Sequence, residues 1–129
     1  MQKSFVKEFK LYCKKKNLDV NSHQIKLIKI LEEYYKLNYK SFISKILSKK
    51  NYKKGFYLYG DVGVGKTMIL DFFFNLVEGK KLKLHFNEFM LSFHDFVHQS
   101  KGKNDENKIS KFVKKLKSKA KLIYFDEFQ

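Results

Sequence analysis

The residues best placed for chemistry form two short runs. Gly60-Asp61-Val62-Gly63-Val64-Gly65-Lys66-Thr67 fits the phosphate-loop pattern G-x-x-x-x-G-K-[ST], and Leu122-Ile123-Tyr124-Phe125 runs into the adjacent carboxylates Asp126 and Glu127. In such a loop the glycines let the backbone curl until its N–H groups point at a β-phosphate, and the following helix adds the partial positive charge of its N-terminus. Lys66 would contact the β- and γ-phosphates, and the Thr67 hydroxyl would ligate Mg²⁺. Asp126 would hold the same Mg²⁺, usually through water. Glu127 would orient and deprotonate an attacking water, since hydrolysis needs a base near the γ-phosphate. The expected ligands are therefore ATP and Mg²⁺. The second carboxylate favours a hydrolase over a nucleotide kinase, which has no water to activate.

These groups need elements to position them. Gly55 and the aromatic run Phe56-Tyr57-Leu58-Tyr59 predict a short buried strand ahead of the loop. Met68 to Val77 is apolar almost all round and long enough for a helix, with Gly79 as its stop signal. Strand, glycine loop and helix in this order is the context the motif requires. Lys121 to Phe125 reads as a buried parallel strand. Carboxylates at its C-terminal end would face the crevice where open α/β sheets bind ligands.

The motifs carry a resemblance. Gly55 to Met68, then Leu84-His85-Phe86-Asn87-Glu88-Phe89-Met90 with His94, then Phe125-Asp126-Glu127-Phe128-Gln129, resemble in order and spacing the ZapE (AFG-like) ATPases, AAA+-related P-loop proteins of bacteria and mitochondria. Gln24, in Asp19-Val20-Asn21-Ser22-His23-Gln24, is similar to an N-terminal Asp…Gln stretch of that family. The resemblance runs from about Asp19 to Gln129. Asp61 and Val64 stand where many members carry Gly and Arg; backbone N–H groups do the phosphate work there, so binding is expected to survive.

The resemblance implies a sensor strand, an arginine finger and a C-terminal helical region beyond Gln129, so the chain reads as the N-terminal part of such an enzyme. It implies that the sensor strand lies between the P-loop strand and the Asp-Glu strand. Without it, those two strands are expected to leave a gap or to pair directly. It also implies a protein partner in cell division or protein quality control. It leaves open a homo-oligomer of the complete protein and peripheral attachment at the inner membrane.

At 129 residues the chain is at most one domain, and its apolar fraction of 43% suffices for a core. No run approaches the ~18–20 apolar residues of a membrane span. Met1 to Lys10 lacks both the apolar block of a signal peptide and the Arg-rich, acid-free character of a mitochondrial one. The single Cys13 rules out an internal disulfide and suits a reducing cytoplasm, which the resemblance implies to be bacterial.

The net charge of +15 would ordinarily point to nucleic acid or anionic membrane. All 28 basic residues are Lys, however, and the chain has no Pro and no Trp. This is the signature of A- and T-rich codons. Without Arg, the preferred base-reading and phosphate-forking side chain, specific recognition is weakened. Non-specific contact with nucleic acid stays open beside the plainer reading, a solvated Lys-rich surface. The lack of Arg also means that no arginine finger can come from these residues, a group worth ~10³–10⁵ in rate in related enzymes.

The remaining elements follow from periodicity. Phe5, Val6, Phe9, Tyr12 and Cys13 recur at helical spacing. Asn21 or Ser22 could cap a second helix that carries Ile25, Ile28, Leu31 and Tyr35 on one side, widened by Leu27, Ile30 and Tyr34. Phe42, Ile43, Ile46 and Leu47 suggest a third, short helix. This lead-in is expected to pack its apolar stripes on the sheet; a membrane-surface helix or partner dock is the alternative.

Lys81 to Phe86 alternates as a strand, and Phe89, Met90, Phe93 and Val97 mark a helix. Ser100 to Asn107 reads as a polar loop, and Ile109, Phe112, Val113 and Leu116 mark a last amphipathic helix. His94 and His98 fall at i, i+4, like the zinc-protease spacing. Asp95 is one methylene short of the Glu that chemistry needs, and His85 is the one candidate third ligand, so packing or capping histidines are the simpler reading.

The sequence thus predicts an α/β P-loop NTPase of AAA+-like, three-layer type with an incomplete parallel sheet of about three strands. Residues 1–50 form a helical lead-in and residues 51–129 a partial ATPase core. The alternative is a nucleotide- or nucleic-acid-binding module without turnover, including a decayed fragment of the enzyme.

Overall fold

The computed structural model describes residues 4–39, 55–59, 65–100 and 105–126. The chain divides into two compact units, Met1–Val77 and Glu78–Gln129. In the first, Ser4 caps helix α1 (Phe5–Lys15), its Oγ accepting from the Lys7 N–H at 3.4 Å. The helix ends in a Schellman turn. Asn17 takes the left-handed conformation (φ 52°), Asn17 N–H donates to Lys14 O at 3.3 Å, and Leu18 N–H donates to Cys13 O at 2.8 Å. Asn is one of the few residues other than Gly that tolerates that conformation.

Helix α2 (Ser22–Asn38) starts in a full capping box: Asn21 Oδ1 accepts from Gln24 N–H at 2.8 Å, and Gln24 Oε1 accepts from Asn21 N–H at 3.1 Å. Its buried face is Gln24, Ile28 and Leu31, whereas Ile30 turns outward. Helix α3 (Lys66–Leu76) buries Ile69, Phe72 and Phe73, with Val77 closing the same stripe.

The core of this unit is aromatic. Phe9 meets Phe72 edge-on at 5.2 Å between ring centroids, Tyr12 meets Phe72 at 5.4 Å, and Phe5 and Tyr34 approach Phe73 at 6.1 and 6.2 Å. Tilted and edge-on pairs of this kind add to the stabilisation from burial itself. The apolar stripe of α1 therefore packs on α2 and α3, not on a sheet as the periodicity suggested. A stripe at helical spacing specifies a neighbour but not its type.

In the second unit, β1 (Lys81–His85) and β2 (Leu122–Asp126) pair in parallel, from Lys81 opposite Leu122 to His85 opposite Asp126. A parallel pair needs a long crossover. Here it is made by α4 (Phe86–Gln99) and α5 (Asp105–Lys119). Phe112 of α5 receives Phe89, Phe93 and Phe96 of α4 at 5.6, 5.2 and 5.4 Å, and Phe89 in turn meets Phe125 of β2 at 4.8 Å.

Three expectations need correction. Residues 55–59 do not form a strand; Phe56 and Leu58 are half-buried, but Tyr57 and Tyr59 are 64% and 79% exposed. A strand exists through its ladder of backbone bonds, which aromatic enrichment alone does not provide. The described residues thus hold a two-stranded sheet instead of about three strands. Strand β1 stops at His85, and Phe86 opens α4 without an intervening loop. The polar segment after Ser100 is shorter than expected, because α5 already begins at Asp105. The short helix expected around Phe42 to Leu47 lies outside the described residues.

Candidate nucleotide-binding site

The first turn of α3 has the chemistry to receive an anion. Gly65 stands at its N-cap in the left-handed conformation (φ 72°, ψ 28°) and supplies no capping side chain. Ile69 N–H donates to Gly65 O at 3.0 Å, the first bond of the helix. By helix geometry, the N–H groups of Lys66, Thr67 and Met68 then point out of the N-terminus without a carbonyl of their own helix. No acidic residue occupies this turn, so its partial positive charge is not answered from within the turn. Lys66 is half-buried and Thr67 exposed.

The turn is seated firmly, since three residues on, Ile69 is fully buried, followed by Phe72 and Phe73 in the aromatic core. Gly65, Lys66 and Thr67 therefore share one helix start in the first unit. Gly60, Asp61, Val62, Gly63 and Val64 lie outside the described residues.

Asp126 is the last residue of β2, at the C-terminal end of the parallel pair and opposite His85. Its carboxylate side chain is 25% exposed, and Oδ2 lies 4.0 Å from Lys83 Nζ. That ammonium also sits 5.1 Å from the centre of the Tyr124 ring. At such a length the ion pair is weak. Glu127 lies outside the described residues. His85, His94 and His98 are exposed, and among the described residues no three His, Cys, Asp or Glu side chains converge as a metal site.

Gln24 is a residue to which sequence reasoning gave no chemistry. It is 8% exposed, and its Nε2 lies 3.5 Å from the position a β-carbon would take on Gly65. The pattern Asn21-x-x-Gln24 before an apolar run was the available signal, because it marks a capping box. The capping box fixes the side chain, but only folding shows what it faces.

The model of the AFG1-like ATPase family matches residues 12–129 of the chain. The chain belongs to the AFG1-like ATPase family. Among curated relatives, Lactation elevated protein 1 homolog B of Danio rerio is 38% identical over 92 residues, 64% of this chain and 18% of the relative. Cell division protein ZapE of Escherichia coli K12 is 36% identical over 76 residues, 58% of this chain and 20% of that protein. The AFG1-like chain thus spans about a fifth of the length of the relatives it matches. No solved structure gives a significant match. The described elements are compatible with a partial α/β fold of this AAA+-related family: one unit holds helices α1 to α3, the other a parallel strand pair with a helical crossover. Among the described residues no helix is long and apolar enough to cross a membrane.

Proposed function

We propose that this AFG1-like chain binds ATP with Mg²⁺ and, within the whole protein, hydrolyses it to ADP and phosphate. The observation that carries the reading is the start of α3. A left-handed glycine with no β-carbon precedes an uncapped helix N-terminus, and Lys66 and Thr67 follow at once. In this reading residues 51–129 are the P-loop core and residues 1–50 its helical lead-in. As the motif implies, backbone N–H groups of Gly60, Asp61, Val62, Gly63, Val64 and Gly65 would contact the phosphates, and Lys66 would supply a cation at the β- and γ-phosphates. The Thr67 hydroxyl and the Asp126 carboxylate are each proposed as ligands of Mg²⁺, which would offset the charge of the γ-phosphate. Glu127 takes the proton from the attacking water. Turnover would drive work on a protein partner in the bacterial cytoplasm or at the inner-membrane surface, cell division being the role in the name of the Escherichia coli relative.

Titration with a fluorescent ATP or ADP analogue, with and without Mg²⁺, tests the site. We expect Mg²⁺-dependent binding that Lys66→Ala weakens strongly. Equal binding by both chains, with no effect of Mg²⁺, would refute the assignment.

A second activity is supported by α5, which exposes Lys111, Lys114, Lys115, Lys117 and Lys119. Such a surface binds nucleic acid through phosphates alone, with affinity falling by orders of magnitude between ~50 and ~200 mM salt. A sequence preference that survives at the higher salt would contradict that.

A further inference from the structure

We propose that Gln24 is a ligand-contacting residue of the nucleotide site: its side-chain amide donates a hydrogen bond to a phosphate oxygen at the N-terminus of α3. This rests on the nucleotide-site reading above. The capping box occupies only half of the Gln24 side chain, since Oε1 accepts from Asn21 N–H at 3.1 Å. A Glu at this position would serve the box equally well. What Gln adds is the NH₂ group, which the cap does not use.

Gln24 as a residue is 8% exposed, and its NH₂ group has no acceptor among the described residues. The largely buried side chain thus keeps one donor ready for an acceptor that comes to this face. Its surroundings say which partner. Nε2 stands 3.5 Å from where Gly65 would carry a β-carbon, on the face of the turn that glycine keeps open. The N–H groups of Lys66, Thr67 and Met68 emerge from the same turn, and all of them select an acceptor with negative charge. The cap fixes the side-chain torsions of Gln24 before any ligand arrives, so little rotamer freedom is lost on binding.

Binding of fluorescent ADP, with inorganic pyrophosphate as competitor, tests this in wild type, Gln24→Glu, Gln24→Met and Asn21→Ala, alongside Lys66→Ala. Thermal melts are run on each chain. Gln24→Glu keeps the cap oxygen and Gln24→Met removes the donor without adding charge. Both should weaken ADP and pyrophosphate in parallel by about tenfold or more, as loss of a hydrogen bond to a charged group does. Gln24→Glu should melt no lower than wild type. Asn21→Ala breaks the cap but spares the amide, so it should melt lower and bind within about twofold of wild type.

Wild-type binding by Gln24→Met overturns the donor role, whatever Gln24→Glu does. A loss confined to ADP and absent with pyrophosphate overturns the phosphate assignment. A loss in Asn21→Ala as large as in Gln24→Met reduces Gln24 to a helix cap. Should Lys66→Ala bind ADP like wild type, the site reading itself fails and the Gln24 assignment falls with it. A loss in Lys66→Ala without one at Gln24 overturns the Gln24 assignment alone.

Discussion

Gly65→Ala separates two costs that a glycine at a helix start can hide. The first is steric. A β-carbon there would meet Gln24 Nε2 and Met68 Cε, each at 3.5 Å. Both are ordinary van der Waals contacts to the ends of movable side chains, so sterics contribute little. The second is conformational. Gly65 holds φ at 72°, where an L-residue with a β-carbon costs about 1–2 kcal/mol. Against this, Ala restricts the unfolded chain and returns about 0.4–1 kcal/mol.

The net expectation is a loss of about 1 kcal/mol, several degrees in Tm for a domain of this size. Gly65→Asn should lose less, because Asn tolerates the left-handed region. If Ala instead escapes the strain by rotating out of that region, it re-aims the Lys66 N–H. Nucleotide affinity then falls more than stability does. Gly79→Ala is the control: its φ is 99° with nothing within 4 Å of the new carbon, so it should lose stability and leave nucleotide binding alone. Urea denaturation with parallel nucleotide titration measures both quantities. A Gly65→Ala chain as stable as wild type and with unchanged affinity would show that neither the strain nor the site is where we place it.

Three further outcomes follow from the packing. Phe9 is fully buried against Phe72 and Tyr12, so Phe9→Ala should cost about 3–5 kcal/mol and may be read directly as a fall in the urea midpoint. Asn21→Ala removes the Oδ1 that accepts from Gln24 N–H and should cost about 1 kcal/mol in the same assay. Burial, reinforced by Tyr34 and Tyr35, pushes the Tyr39 phenol from 10.0 up to about 12. The folded chain therefore holds that proton more tightly than the unfolded one. The contribution to stability is complete below pH 10 and is lost as pH rises towards 12. Denaturation midpoints at stepped alkaline pH should fall less steeply for Tyr39→Phe than for wild type.

The helices are legible in the sequence because each carries a period, and α2 and α3 an end signal as well. Asn21 with Gln24 marks the start of α2, and Phe5, Phe9 and Cys13 trace the buried face of α1. Strand β1 was legible from the alternation of Lys and Leu between Lys81 and Leu84. Phe56 to Tyr59 misled for a physical reason. Its aromatic content measures how well a segment would suit a sheet, while a strand also requires a partner in register. The site was half legible. The motif names Gly65, Lys66 and Thr67 from spacing alone, and the folded chain adds why Gly65 must be glycine. Gln24 could not be found as a neighbour of Gly65 from spacing, because dozens of residues intervene and only tertiary packing joins them.

The rings shared by α1 and α3 turn the N-terminal helix into a mechanical handle. Phe5 meets Phe73, and Phe9 and Tyr12 both meet Phe72, about one and a half to two turns below the residues proposed to grip phosphate. Close-packed interiors transmit displacement because there is no void to absorb it. A load applied to the outer face of α1, where Lys7, Lys10 and Leu11 reach solvent, is therefore carried through the aromatic rings into α3 and towards its first turn. Force and nucleotide would be read by the same helix from its two ends.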